Sequence, residues 1–323
     1  NQLLKADLLM EFSDKLSQIS DKLIELGQNA LEAFREVDAG MDIIITKTGA
    51  SGEALEEMIG VAEKVATTIP TDFETAGNAV GEVNTQFGLM GDALQTTSED
   101  MIKFSEINGS DVTNSTINSK RALEAYGLSV DWLSDVLDST TYVAQSTGVS
   151  VDDLMKKATD GAPQIKALGL EFDEGVTLIG QFEQAGVDSS AALGTLSKAA
   201  VNYAKDGKTM KEGLAETVDK IKSSTSETDA LTIASEVFGT KAAPRMVDAI
   251  KRGAFSFDEL ANTAQNSAGI VGTTYDATLD PIDRFTTAQN EAKMVMADIG
   301  NAISEVLALI MEVLVVVLMS VVE

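Results

Sequence analysis

The chain has 323 residues, 24 basic against 51 acidic side chains for a formal net charge of −27, and neither Cys nor His. That is enough length to bury a core without disulfides, but it leaves no thiol or imidazole for a redox pair, a nucleophilic triad or a zinc site. The charge would repel a phosphate backbone, and Lys120-Arg121 and Lys251-Arg252 are isolated basic pairs without neighbouring aromatics, so nucleic acid, most enzymes, metals and cofactors are all disfavoured.

Asn1 to Leu9 lacks a basic region followed by a compact apolar stretch, so no export signal is read there. Asn at position 1, and an apolar run that reaches Glu323 without a helix stop, lead us to expect a piece of a longer polypeptide. Leu9, Phe12, Leu16, Ile19, Leu23, Leu26, Ala30, Ala33 and Val37 step by threes and fours. This predicts a long amphipathic helix over 1–47, either a coiled coil or a helix packed on a domain. Ile43 to Thr46 is β-branched but short, and is read as helix end or loop.

From residue 48 the pattern changes to short helices with a recurring break: an apolar or small residue, Gly, a second apolar residue, then a polar cap. The helix-terminating glycines are Gly88, Gly127, Gly148, Gly169 and Gly186, and Gly109 joins the same train. Glycine takes the left-handed position after a helix without a Cβ penalty, the next apolar residue folds back, and Ser or Asp starts the following helix. Thr71 with Glu74, Ser150 with Asp153 and Ser256 with Glu259 have capping-box spacing. These features predict an all-α fold with a globular core over 48–270. A subdomain boundary is expected near 222–227, where Ser223-Ser224-Thr225-Ser226 centres a loop.

The last element, over 271–323, begins its helix near Pro281, a favourable first-turn residue. Ile282, Phe285, Gln289, Ala292, Met296, Ile299, Ile303, Val306, Ile310, Val313 and Val317 keep a three-four period. Ile299, Ile303, Val306, Ile310, Val313 and Val317 form the candidate oligomer seam. β-Branched residues at both seam positions, with Leu307, Leu314 and Leu318 beside them, favour three parallel strands over two. Folding back on the stripe from Leu9 to Val37 would bury the same surface within one chain. A membrane span is the other alternative, since Val306 to Val322 carries only Glu312 as a charge, and a pore-forming helical protein acting on a host membrane is the function it would imply.

No motif in the chain carries chemistry. Gly207-Lys208-Thr209 ends like a phosphate loop, but Asn202 occupies the position of the required Gly. Asp152-Asp153 and Asp280 with Asp283 fall in first helical turns, where acids complement the helix dipole. Gly77 and Gly81 share a helix face and allow close packing, and Trp132, the single Trp, is expected to anchor the core.

Beyond these patterns, Thr48 to Leu55, Ile69-Pro70-Thr71 and Ala79 to Gly88 resemble the opening of the core region of tail tape-measure proteins of tailed phages. Phe104 to Val112, Gln145 to Ser150, Leu168-Gly169-Leu170 and Phe182 to Leu196 resemble its successive elements, and Val237 to Ala243 its closing Phe-Gly signature. The resemblance runs in order over about residues 40 to 270. It implies a structural, non-enzymatic protein made in the bacterial cytoplasm and threaded through the tail-tube lumen, whose length sets tail length and which leaves before DNA passes. Tube and baseplate proteins, assembly chaperones and further copies of itself would be its partners, in a phage or a related contractile particle. A ruler should be extended, whereas these helices are short, so the resemblance implies a compact core with the measuring coiled coil mainly outside it.

Overall fold

The computed structural model describes the backbone of residues 2–322, with side chains for Gln18, for 21–306 and for Ala308. Every regular element among these is helical. In order they are α1 (Gln2–Thr48), α2 (Glu53–Thr68), α3 (Phe73–Phe87), α4 (Gly91–Asn108) and α5 (Val112–Tyr126), then a 3-10 turn at Val130–Trp132. There follow α6 (Leu133–Thr147), α7 (Val151–Ala167), α8 (Phe172–Gln184), α9 (Ser189–Lys205) and α10 (Met210–Ser223). The chain closes with α11 (Glu227–Phe238), α12 (Ala243–Arg252), α13 (Phe257–Ser267), α14 (Ile270–Thr278) and α15 (Pro281–Val322).

Local signals set most of the helix ends. Gly88, Gly127, Gly148, Gly169 and Gly186 all follow helices with positive φ, between 67° and 76°. After three of them the next apolar residue folds back: the Leu128, Leu170 and Val187 N–H groups donate to the Leu123, Ile165 and Phe182 carbonyls at 2.8, 3.2 and 2.8 Å. Asp111, Ser150, Asp188, Thr209, Ser226 and Ser256 accept a first-turn N–H of the helix each precedes. At α3 the cap falls one residue later than expected. Asp72, not Thr71, accepts the Thr75 N–H, at 2.6 Å, a carboxylate being the stronger acceptor.

Two helix ends are satisfied by side chains distant in sequence. The buried Asp138 of α6 accepts the Gly269 and Val271 N–H groups at 2.7 and 3.0 Å, which caps α14. The buried Asn290 of α15 donates to the Ala66 and Thr71 carbonyls at 2.7 and 2.6 Å, closing the end of α2. Each supplies a partner that a buried helix terminus would otherwise lack.

The chain divides into two compact units: Asn1–Thr85 with Leu89–Glu99 and Asp280–Glu323, and Gln86–Gly88 with Asp100–Leu279. This partition differs from the expected 1–47, 48–270 and 271–323. Residues 48–85 join the long helices because α1, α3 and α15 hold them. A Cβ on Gly77 would stand on the Gly40 carbonyl oxygen, so α1 and α3 cross in backbone contact, and Lys47 pairs with Glu82 at 2.7 Å beside the crossing. No division falls near 222–227 either, since α10, α11 and α12 pack on one another within one unit.

In the second unit α8 is the central helix, buried from Glu174 to Phe182 and packed on α6, α7, α9 and α13. Phe182 meets Phe238 edge-on and stacks on Phe255, with ring centroids 6.2 and 5.7 Å away, and all three rings are buried. Large apolar side chains thus sit inside and the helix ends are capped, which gives the unit the two usual sources of helical-domain stability.

Candidate functional site

The acidic residues that sequence singled out have structural work. Asp152 and Asp153 occupy the first turn of α7, where the Asp153 N–H donates to Ser150. Asp280 accepts the Ile282 N–H at 2.7 Å, and Asp283 accepts the Asp280 N–H at 2.6 Å, together closing the start of α15. Thr209 of Gly207-Lys208-Thr209 caps α10 in a reciprocal pair with Glu212. Among the described residues no group of three or more His, Cys, Asp or Glu gathers as a metal site.

The candidate surface is the long hairpin of the first unit. α1 and α15 run antiparallel: Glu36 pairs with Lys293 at 2.5 Å, Gly300 packs against the Ala30 carbonyl, and Ile303 Cδ1 lies 4.0 Å from where a Cβ on Gly27 would stand. The face of α15 turned inward carries Asn290, Lys293, Ala297 and Gly300, and that of α1 carries Ala30, Ala33, Gly40, Met41 and Ile44. A Cβ on Gly300 would overlap the Ala30 backbone, so small residues set how close the two helices come.

Of the predicted seam residues with described side chains, Ile303 touches α1 and the other two, Ile299 and Val306, are left largely uncovered by it. Ile299 is 43% and Val306 56% exposed, Ile303 is half-buried, and Ile282, Phe285 and Val295 of the same helix are exposed. Ile310, Val313 and Val317, with most of the run to Val322, lie outside the described side chains, as do Leu9, Phe12, Leu16 and Ile19 of α1. Leu23, Ile24 and Leu26 of α1 are also exposed, and the register places them level with Ile303 and Val306. The sequence offered two places for the large residues of α15, a seam between chains or a face folded onto α1, and Ile299 and Val306 are not covered by α1. The close approach of α1 and α15 has its own sequence signal in the small residues Ala30, Ala33 and Gly300, which permit a spacing that larger residues would block.

Trp132 is a second departure. It was expected to anchor the core but is 52% exposed, at the end of the 3-10 turn before α6. As for the membrane alternative, among the described residues no helix is long and apolar enough to cross a bilayer.

Comparison with known proteins gives this geometry a context. Residues 86–240, just under half of the chain and mostly within the second unit, match the phage-related minor tail protein family. The chain is also 24% identical over 188 residues to the tape measure protein of Pneumococcus phage Dp-1, a stretch that is 58% of this chain and 16% of that relative. The similarity is thus to a short part of a much longer protein. No solved structure matches the chain.

Proposed function

We propose that the chain is a structural segment of a tail tape measure protein, belonging to the molecule that sets phage tail length and occupies the tail-tube lumen until DNA passes. The observation that carries the tail role is the match over residues 86–240, with the Dp-1 relative pointing the same way. A non-enzymatic role is in keeping with carboxylates that serve as caps and with a chain that has no His or Cys. Tube and baseplate proteins and assembly chaperones are the partners this function requires, and the bacterial cytoplasm is where it would be made.

Within that function the second unit serves as a compact core, and the hairpin is the part through which copies meet. Three chains with parallel α15 helices would bury Ile299, Ile303 and Val306, continuing through Ile310, Val313 and Val317. What supports this is the exposure of the aliphatic row: a chain that needed α15 only for its own stability would turn those residues onto α1. The test is made in virions. Immunoblots should detect the second unit in disrupted full particles and lose it from particles recovered after DNA ejection, and insertion of whole helical heptads into the extended part of the parent protein should lengthen tails by about 1.5 Å per residue. Absence of the chain from purified tails, or tails of unchanged length, would remove the assignment.

A further inference from the structure

The single Trp lies at a cleft in the second unit that the tail role does not use. The cleft has a volume of about 370 Å³. Its floor is apolar and fixed: Leu170, Phe172 and Val136 are buried, and the Tyr126 ring meets Phe172 edge-on with centroids 5.3 Å apart. The Tyr126 hydroxyl donates to the Ala158 carbonyl at 3.1 Å, so that wall is held in place. Phe104, Phe182, Phe238 and Phe255 of this unit are almost fully buried, whereas the Trp132 indole stands half in solvent at the rim.

The rim is also unbalanced in charge. Asp135, Glu171 and Asp173 line it against one cation, Lys166, which already donates to the Ala125 carbonyl at 3.0 Å. Burial pushes the Asp173 carboxyl above its ordinary range; the Glu174 N–H opposes this, while the charges of Glu174 and Glu171 add to it. A cation brought to the rim would relieve that crowding. A fixed apolar floor, a half-exposed indole and a carboxylate surplus are complementary to a large apolar side chain flanked by positive charge.

We propose that this cleft docks a short segment of a partner protein in which one large apolar side chain is flanked by lysine or arginine. A nucleic acid base would bring a phosphate onto the acidic rim. A sugar would stack on Trp132 and donate hydroxyls to the carboxylates, but it would leave their charge unneutralised and set polar groups on the apolar floor. The proposal does not depend on the tail assignment.

Because Trp132 is the only Trp, its emission reports the cleft alone. The whole chain is titrated with a short Trp-free synthetic peptide of lysine, leucine and phenylalanine, with its glutamate-for-lysine counterpart, and with an N-acetylglucosamine oligomer. The lysine peptide should shift Trp132 emission to the blue and saturate, while the other two leave it unchanged. With fluorescein-labelled lysine peptide and anisotropy detection, Trp132→Ala and Asp135→Lys should each weaken binding by about tenfold or more. Asp152→Lys, an equal charge change outside the cleft, should weaken it by less than about twofold. Helical circular dichroism shows that the variants are folded. Equal binding of the acidic peptide, an emission response to the sugar alone, unchanged affinity in both cleft variants, or no saturable response to the lysine peptide would each overturn the proposal.

Discussion

The two units use the same kind of helix in opposite ways. In the second, short helices are closed by their own glycines and caps, and the central phenylalanines Phe182, Phe238 and Phe255 point inward. In the first, long helices approach through Gly40, Gly77, Gly300, Ala30 and Ala33, and the large aliphatics Leu23, Ile24, Leu26, Ile299 and Val306 are left outside. Burial of large residues yields stability within one chain. Close approach of small residues sets geometry and leaves apolar surface available for other chains. Substitutions on the two sides should accordingly fail in different ways.

The largest effect is expected in the second unit. Phe182→Ala empties the centre of the three-ring cluster and should cost about 3–5 kcal/mol, the range for an aromatic lost from a packed core. Urea unfolding of the whole chain, followed in the transition that also moves Trp132 emission, measures it. A cost below about 1 kcal/mol would mean that this unit is no better packed than the hairpin, and the contrast between the two would go.

Next comes a substitution that adds volume to the first unit. Gly77→Val drives a side chain into the Gly40 backbone, which cannot rotate away as a side-chain tip could. It should destabilise the first unit by about 1–3 kcal/mol and leave the second unchanged. Limited proteolysis resolves the two, with new cleavage expected in 1–99 or 280–323 and none within 100–279. A smaller cost separates backbone strain from crowding. Around Gly148 a Cβ would meet no atom within 4 Å, yet φ is +76°, so Gly148→Val should lose about 1–2 kcal/mol through conformation alone. Gly148→Ala destabilising as much as valine would agree with that cause, since neither suits the left-handed region.

These elements also show what a sequence can and cannot carry. Gly127, Gly148 and Gly169 were legible because a helix stop is a local event with a local residue requirement. The expected all-α class follows from the same rule repeated. The caps from Asp138 and Asn290 were not legible: each side chain serves a helix end 131 or more residues away, so no window contains both partners. Trp132 was misassigned because size was taken to imply burial, while its place at the end of a 3-10 turn, ahead of α6, keeps it at the surface. The α15 stripe was read with its period, as a seam between chains or as a face folded onto α1, and the sequence left that choice open. Periodicity establishes that a helix has an apolar face, and only the partner decides whether that face is covered within the chain.

The smallest effect on folding is expected where the effect on assembly is greatest. Ile299 and Val306 are exposed on α15, so replacing both by Ser removes little buried surface from the single chain and should change its unfolding free energy by no more than about 0.5 kcal/mol. If copies meet through this row, the same pair places two hydroxyls in each copy at a seam built for β-branched side chains, and association should fall by at least about tenfold. Light scattering across micromolar concentrations reads the second quantity and urea unfolding of the dilute chain the first. Ala297→Leu supplies the reciprocal case, since Ala297 is buried on the inward face of α15 and added bulk there should disturb the hairpin. A parent chain that is monomeric at every concentration would refute the trimer. So would a Ser pair as destabilising as Ala297→Leu, because the row would then be packed within the chain and not held open for a neighbour.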